Sequence, residues 1–153
     1  MKIGELLPKD SVCHELQGKT KIEILRELVD LLGKQRGDVE ANKIVEVLLE
    51  REKLGSTGIG EGVAIPHGKL VGVQKVLLSC GKSSLGISFD SLDEKPAHLF
   101  FLLVAPENAA GLHLKVLARI SRLLKDPIFR ERLMKAGNSD ELYQTIVEED
   151  EKY

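Results

Sequence analysis

The stretch His98-Leu99-Phe100-Phe101-Leu102-Leu103-Val104 decides the fold of this chain. Every residue after His98 is apolar, and alternate side chains of a strand point to opposite faces, so both faces of this segment avoid water. Such a strand is typical of a sheet that is covered on both sides by helices. We therefore predict a central β-strand inside an α/β domain.

Apolar runs on the N-terminal side of this stretch predict the neighbouring strands. Val63-Ala64-Ile65 and Val76-Leu77-Leu78-Ser79-Cys80 are short and are bounded by glycine, proline or charge, as strands commonly are. Residues 11–16 form a possible edge strand, and residues 88–96 are expected to be a loop. The sheet should therefore contain several short, mostly buried strands.

Helices are predicted where apolar residues recur three or four positions apart. Thr20 and Glu23 form a capping box for the first helix, and Gly33 ends it. A second helix begins near Val39 and runs towards Arg51. Three more follow in the C-terminal third, of which one carries Leu112, Val116, Leu117, Ile120, Leu123 and Leu124, one restarts at Asp126-Pro127, and one opens at Ser139-Asp140-Glu141. The acidic tail Glu148–Glu151 is expected to fray.

The composition is that of an ordinary soluble protein. The chain has 153 residues, of which 42% are hydrophobic and 30% charged, and this length suits one domain covering residues 1–153. A formal net charge of -2 gives no support for nucleic-acid or membrane binding. No run approaches the roughly 20 apolar residues of a membrane span, no leader opens the chain, and Cys13 and Cys80 suggest no disulfide framework. We expect a cytoplasmic protein.

A glycine-rich loop joins the second helix to the first strand of the sheet core. It reads Arg51-Glu52-Lys53-Leu54-Gly55-Ser56-Thr57-Gly58-Ile59-Gly60-Glu61-Gly62. Glycine lets successive backbone N–H groups converge on an anion. A dinucleotide site does not fit, because the glycines alternate and a strand follows, and a P-loop does not fit because no Gly-Lys-Ser/Thr ends the loop. The remaining alternatives are an anion site and a purely structural turn.

His67 stands at the exit of the strand that follows this loop, in the sequence Ile65-Pro66-His67-Gly68. Pro66 has no N–H to donate, so we predict that the strand ends there and that His67 points into a cleft. Near neutral pH an imidazole is partly unprotonated and can act as a nucleophile. The alternative is a solvent-exposed loop histidine without a chemical role.

Several other residues could complete an anion site around His67. His113 stands at the start of an apolar helix, where unpaired N–H groups carry partial positive charge. Arg51 offers a planar guanidinium, and Ser56, Thr57 and Gly58 offer hydroxyl and backbone donors. The competing interpretation is that His113 packs or caps, that Arg51 pairs with an acid, and that the hydroxyls cap a turn.

The other reactive side chains do not form a recognisable site. His14 and His98 have no partner motif, and we interpret them as structural. Cys80 lies in an apolar strand and should be an inert buried thiol. A zinc site built from His67, His113 and a cysteine has no short ligand spacing to support it, so no metal is predicted. A hydrolase with His67 as base is a distant alternative, because no nucleophile–acid pair is evident.

The residues from Arg51 to Gly68 resemble the fructose/mannitol-type enzyme IIA domain of the bacterial phosphoenolpyruvate-dependent phosphotransferase system. The likeness extends over Phe89-Asp90-Ser91-Leu92-Asp93, the strand 99–104, the helix start at His113-Leu114, and Asp140-Glu141-Leu142-Tyr143. It therefore covers nearly the whole chain. The loop Gly55–Gly60 and the length of the chain are most similar to the nitrogen-regulatory branch.

This resemblance implies a three-layer α/β/α sandwich with a mixed sheet and a phosphohistidine carrier without a cofactor. His67 matches the histidine that accepts a phosphoryl group from a histidine-containing phosphocarrier protein, His113 matches the second active-site histidine, and Arg51 matches an arginine near the phosphate. Phosphate would then pass to a separate enzyme IIB in sugar transport, or would control binding to a target protein. The branch resemblance favours regulation.

Overall fold

The apolar stretch around Phe100 forms the middle strand of a mixed, six-stranded sheet. The computed structural model describes residues 2–153. Its strands are β1 Val12–Cys13, β2 Gly58–Gly60, β3 Val63–Ala64, β4 His67–Leu70, β5 Leu77–Ile87 and β6 Ala97–Pro106. Its helices are α1 Ile3–Leu6, α2 Lys21–Leu31, α3 Ala41–Lys53, α4 Ala110–Leu123, α5 Pro127–Lys135 and α6 Ser139–Glu151, with short 3-10 turns at Lys9–Ser11 and Gly33–Arg36.

The strands lie in the order β1-β5-β6-β3-β2, and β4 also pairs with β6. β5 runs antiparallel to β6, whereas β3 and β4 both run parallel to it. Because Val63 is opposite Leu99 and His67 is opposite Leu103, β3 and β4 follow one another along the same side of β6. This arrangement places His67 beside the C-terminal half of the central strand.

Two cores lie on the two faces of the sheet and confirm the three-layer prediction. Leu99, Phe101 and Leu103 face the core that α4, α5 and α6 cover, and the alternate residues of β6 face the core under α2 and α3. Residues 99–104 are all 2% exposed or less, as expected of a strand that is covered on both sides. No helix within residues 2–153 is long and apolar enough to cross a membrane.

The helix boundaries follow the capping signals in the sequence. The Thr20 hydroxyl accepts a hydrogen bond from Glu23 N at 3.2 Å and starts α2, and Gly33 adopts φ +48° just beyond its end. Asp126 caps α5 in the same manner, with Pro127 in the first turn. The last helix begins at the predicted place, although its cap is Asn138. Helix α3 ends at Lys53, so it carries Arg51 in its last turn.

The strand before His67 ends at Ala64, just before Pro66, as the sequence predicts, but the strand that follows it was not predicted. Pro66 lacks an N–H, but its carbonyl accepts a hydrogen bond from Leu103 N at 2.9 Å, and His67 then opens β4. Proline therefore interrupts the pairing for one residue without ending it. Strand β2 at Gly58–Gly60 was also missed, because a short segment with two glycines lacks the apolar pattern of a strand.

The acidic tail does not fray as predicted. Helix α6 continues to Glu151, and the side chains of Glu149 and Asp150 are buried. Asp150 accepts a hydrogen bond from Arg119 Nε at 2.6 Å, and Glu149 lies 3.8 Å from Arg132 Nη1. The sequence shows four adjacent acids, but helical geometry turns two of them inward, where arginines on neighbouring helices neutralise them.

Candidate functional site

A cleft of about 630 Å³ opens where the end of α3, strand β4 and the start of α4 meet. Helix α3 contributes Val47, Glu50, Arg51 and the adjacent Leu54, β4 contributes His67, Gly68 and Lys69, and Glu107, Ala110, His113, Leu114 and Leu117 come from α4 and the loop before it. Three of the predicted site residues therefore share one cleft: His67, His113 and Arg51.

His67 has one ring nitrogen engaged and one free. Its Nδ1 lies 2.7 Å from the carbonyl oxygen of Ile65, and a carbonyl can only accept, so Nδ1 carries the proton. The unprotonated lone pair is therefore on Nε2, to which no hydrogen bond from residues 2–153 is found. Burial lowers the pKa of His67 below its ordinary value of 6.5, and the Arg51 guanidinium lowers it further, while the Ile65 carbonyl and the Glu52 carboxylate oppose this effect.

His113 lies on the first turns of α4 and is only 6% exposed. Its ring meets the ring of His67 edge-on, with 5.5 Å between the centroids and 62° between the planes. Its buried Nε2 finds no hydrogen-bond partner within residues 2–153. Burial lowers the pKa of His113, and the neighbouring His67 and Lys69 add to this effect. A buried ring nitrogen left unpaired costs about 1–3 kcal/mol, so it has a strong tendency to bind a ligand that pairs with it.

Arg51 is half-buried and reaches the same cleft from the last turn of α3. Its Nη1 donates to the carbonyl of Gly55 at 2.8 Å, which ties the guanidinium to the start of the glycine-rich loop. A guanidinium has five N–H donors, so further donors remain for an anion. The alternative of a salt bridge between Arg51 and an acid is not observed within residues 2–153.

Ser56, Thr57 and Gly58 are not among the residues that line the cleft. The Ser56 hydroxyl donates to the Phe89 carbonyl at 2.6 Å and accepts from Gly58 N at 2.9 Å. The Thr57 hydroxyl donates to Glu52. These groups therefore hydrogen-bond within the loop and its neighbours, as the turn-capping alternative describes, and phosphate contact by any of them stays a prediction.

The other histidines and the cysteines lie outside the cleft. His14 packs beside Ser139, and Nδ1 of His98 lies 2.9 Å from the carbonyl of Ser83. Burial raises the pKa of the Cys80 thiol, so this thiol stays protonated. Within residues 2–153, no group of three or more His, Cys, Asp or Glu side chains is placed to hold a metal ion.

Sequence reasoning missed the residues that shape the rim of the cleft. Leu54 is 84% exposed and Leu114 is 64% exposed, although both are large and apolar. Leu54 lies three residues after Arg51, and Leu114 directly follows His113. This closeness to predicted site residues was the signal in the sequence that could have identified them. Exposed leucines on both sides of a cleft are typical of a surface that binds another protein.

Comparisons with known proteins give one consistent result. A family model described as the phosphoenolpyruvate-dependent sugar phosphotransferase system, EIIA 2, matches residues 5–149. A nitrogen regulatory protein of Bradyrhizobium diazoefficiens is 39% identical over 146 residues, which are 95% of each chain. The crystal structure of nitrogen regulatory protein IIA-Ntr from Neisseria meningitidis aligns with a TM-score of 0.88 at 35% identity, over 94% of this chain and 98% of that one.

A much longer relative contains one region that matches nearly all of this chain. The fructose-specific EIIABC component of the Bacillus subtilis phosphotransferase system is 40% identical over 152 residues, which are 98% of this chain. The chain spans only 24% of that relative's length. The likeness to this relative therefore concerns one part of a larger protein.

Proposed function

The chain belongs to the EIIA 2 family of the phosphoenolpyruvate-dependent sugar phosphotransferase system, and on that basis we propose that it is a phosphohistidine carrier of the nitrogen-regulatory type. Residues 1–153 act as a single EIIA domain in the cytoplasm. His67 accepts a phosphoryl group from a histidine-containing phosphocarrier protein. One observation carries this proposal. His67, whose Nδ1–H donates to a carbonyl, shares an open cleft with Nε2 of His113, for which residues 2–153 supply no hydrogen-bond partner.

Nε2 of His67 is the accepting atom. The lone pair on Nε2 attacks the phosphorus of the donor's phosphohistidine, so a new N–P bond forms as the donor's N–P bond breaks, and the donor imidazole leaves with the electron pair. The proton stays on Nδ1 throughout. The ring of His67 therefore becomes a phosphorylated imidazolium, and its positive charge strengthens the hydrogen bond that Nδ1–H donates to the Ile65 carbonyl.

His113 and Arg51 stabilise the charge on the transferring group. The loose transition state spreads negative charge over three equatorial oxygens, which need donors already in place. His113 supplies its Nε2 as an N–H donor, and Arg51 supplies guanidinium N–H groups from the opposite wall. The first-turn N–H groups of α4 add partial positive charge to the same side. Ser56, Thr57 and Gly58 act one step away, by holding the glycine-rich loop whose Gly55 carbonyl accepts a hydrogen bond from Arg51.

The rim of the cleft is suited to docking partners in turn. Leu54 and Leu114 provide exposed apolar contact area, and Glu50, Lys69 and Glu107 provide charges of both signs beside it. Apolar area supplies most of the binding free energy, while the charges orient the partner and speed its association. One surface can therefore receive the donor and then a downstream protein.

Regulation is favoured over sugar transport. The nitrogen regulatory relative is 39% identical over 95% of each chain, and the IIA-Ntr structure aligns with a TM-score of 0.88, so both matches favour the regulatory role. The alternative is an enzyme IIA that passes phosphate to an enzyme IIB, and the fructose-specific relative supports it because of its 40% identity. In the regulatory case, phosphorylation of His67 changes the charge of the cleft and so selects which target protein binds there.

The proposal is tested by phosphorylating the purified protein with phosphoenolpyruvate and an upstream phosphorelay. We expect one acid-labile phosphoryl group per chain, mapped to His67 by mass spectrometry and to Nε2 by NMR. A protein that gains no phosphate under these conditions is not a carrier. Adding purified enzyme IIB of the fructose or mannitol type separates the two roles, because rapid loss of the phosphoryl group to it would support transport.

The protein should still accept phosphate at pH values below 6.5, the ordinary pKa of histidine. Burial lowers the pKa of both His67 and His113, so the folded protein keeps these rings neutral where the unfolded chain, with pKa values near 6.5, begins to bind protons. The free energy of unfolding therefore falls as the pH drops through and below 6.5, and this loss is absent at higher pH. NMR titration should give midpoints below 6.5 for both rings, and midpoints above 6.5 would contradict the assigned environment.

Replacing His113 with alanine should slow phosphoryl acceptance by about 100-fold, the usual effect of removing one transition-state donor. The fold should remain, and the dissociation constant of the donor should change little. Stopped-flow or quenched phosphorylation at saturating donor measures the effect, with Lys115→Ala on the exposed side of the same helix as the control. A His113→Ala rate equal to wild type would make His113 a packing residue only.

A further inference from the structure

An ion pair between α2 and α3 lies outside the cleft, next to the glycine-rich segment. Glu52, the neighbour of Arg51 on α3, has a side chain that is only 5% exposed, and its Oε1 lies 2.9 Å from Nζ of Lys21 at the start of α2. Lys21 also stands 4.6 Å above the ring of the buried Phe89 and 3.3 Å from Asp90. Removing two charges from water costs free energy unless further hydrogen bonds satisfy each of them. The other partners of Glu52 therefore show what the ion pair holds in place.

Glu52 also accepts two hydrogen bonds from Thr57. Oε1 accepts the backbone N–H of Thr57 at 3.2 Å, and Oε2 accepts the Thr57 hydroxyl. The carbonyl of Thr57 accepts the N–H of Ile65 at 3.0 Å. The carbonyl of Ile65 in turn accepts the Nδ1–H of His67 at 2.7 Å. A continuous series of contacts therefore runs from Lys21 and Glu52, through two loop residues, to the ring of His67.

We propose that Glu52, held by Lys21, is a positioning residue for phosphoryl transfer. It fixes Thr57, and through Thr57 it fixes the Ile65 carbonyl that keeps the proton on Nδ1 of His67 and the lone pair on Nε2. The carboxylate touches neither phosphate nor the accepting atom. This inference rests on the proposed role of His67 as phosphoryl acceptor.

A carboxylate suits this position because it accepts from three donors and its charge pairs with the ammonium of Lys21. Lys21 Nζ, Thr57 N–H and the Thr57 hydroxyl each point a hydrogen at an oxygen of Glu52. An ionised carboxylate accepts at both oxygens, whereas an amide accepts at one and presents N–H donors at the other. Glu52→Gln therefore keeps the size of the side chain but removes the negative charge that binds the Lys21 ammonium, so Lys21 no longer fixes this side chain against Thr57.

Glu52→Gln should lower the rate of phosphoryl acceptance per folded molecule by about 10-fold to 100-fold, as loss of an orienting contact typically does. The KM for the phosphorylated donor should stay unchanged, because the docking surface is intact. Nitrogen-15 NMR of the unphosphorylated variant should show His67 as a mixture of its two neutral tautomers, where the wild type shows the Nδ1–H tautomer alone. Urea denaturation gives the folded fraction used to normalise the rates.

Two further variants separate positioning from stability. Glu46→Gln removes an exposed acid from the same helix and should match wild type in rate and tautomer. Thr57→Val removes the hydroxyl contact but keeps the backbone N–H and carbonyl of the series, so it should lower stability and leave the His67 tautomer unchanged. A Glu52→Gln protein with the wild-type tautomer and the wild-type rate per folded molecule would overturn the proposal. Since the tautomer is read without phosphate, a wild-type protein that fails to accept phosphate would instead refute the carrier function.

Discussion

His67→Ala should abolish phosphoryl acceptance while leaving the protein folded. We do not expect His113 to take over, because its Nε2 serves as an N–H donor to the phosphoryl group and then has no lone pair to offer to phosphorus. The fold should survive, because His67 is half-buried and its removal costs only the hydrogen bond to Ile65, worth about 1 kcal/mol. Acid-labile phosphate, measured with phosphoenolpyruvate and the upstream phosphorelay, should fall to background.

The matched control for this experiment is His14→Ala. His14 is also a half-buried histidine, but it lies beside Ser139 at the far side of the fold and lines no part of the cleft. This variant should accept as much phosphate as wild type. If His67→Ala accepts as much phosphate as His14→Ala, the accepting residue lies elsewhere and the assignment of the cleft fails with it.

The fold was predictable where a pattern repeats along a continuous segment. The central strand was predictable because residues 99–104 must be shielded from water on both faces, and the structure buries all of them. The first helix was predictable because the Thr20 hydroxyl caps it locally by accepting from Glu23 N, although the Glu23 carboxylate accepts from Lys19 N and so does not complete the predicted capping box. Such signals are contained within a few residues, so the sequence alone reveals them.

The site was predictable in its members but not in its geometry. His67, His113 and Arg51 are far apart in sequence, and only the pairing of β4 with β6 and the packing of α3 and α4 bring them to one cleft. The continuation of the sheet past Pro66 could not be read locally, because it depends on the N–H that Leu103 supplies from another strand. The burial of Glu52 depends likewise on Lys21, which lies on a different helix.

The C-terminal acids are the clearest case in which the local sequence predicts the wrong structure. Four consecutive acids repel one another in an isolated helix, and fraying is the expected result. In the folded protein, Arg119 donates from Nε and Nη2 to the side chain and carbonyl of Asp150, and Gly4 N donates to the same carboxylate at 3.4 Å. Asp150 therefore joins α4, α6 and the N-terminal α1.

Asp150→Ala should consequently lower the free energy of unfolding by about 3 kcal/mol, because it leaves the Arg119 guanidinium, only 18% exposed, without its counter-ion. Glu148→Ala removes the same charge from the same helix, but its partner Arg132 is 38% exposed, so the loss should stay below about 1 kcal/mol. Urea denaturation of the two variants measures the difference. Equal, small losses would mean that the end of α6 frays in solution as the sequence predicts. A large loss for Asp150 alone would show that long-range pairing overrides local repulsion at this end of the chain.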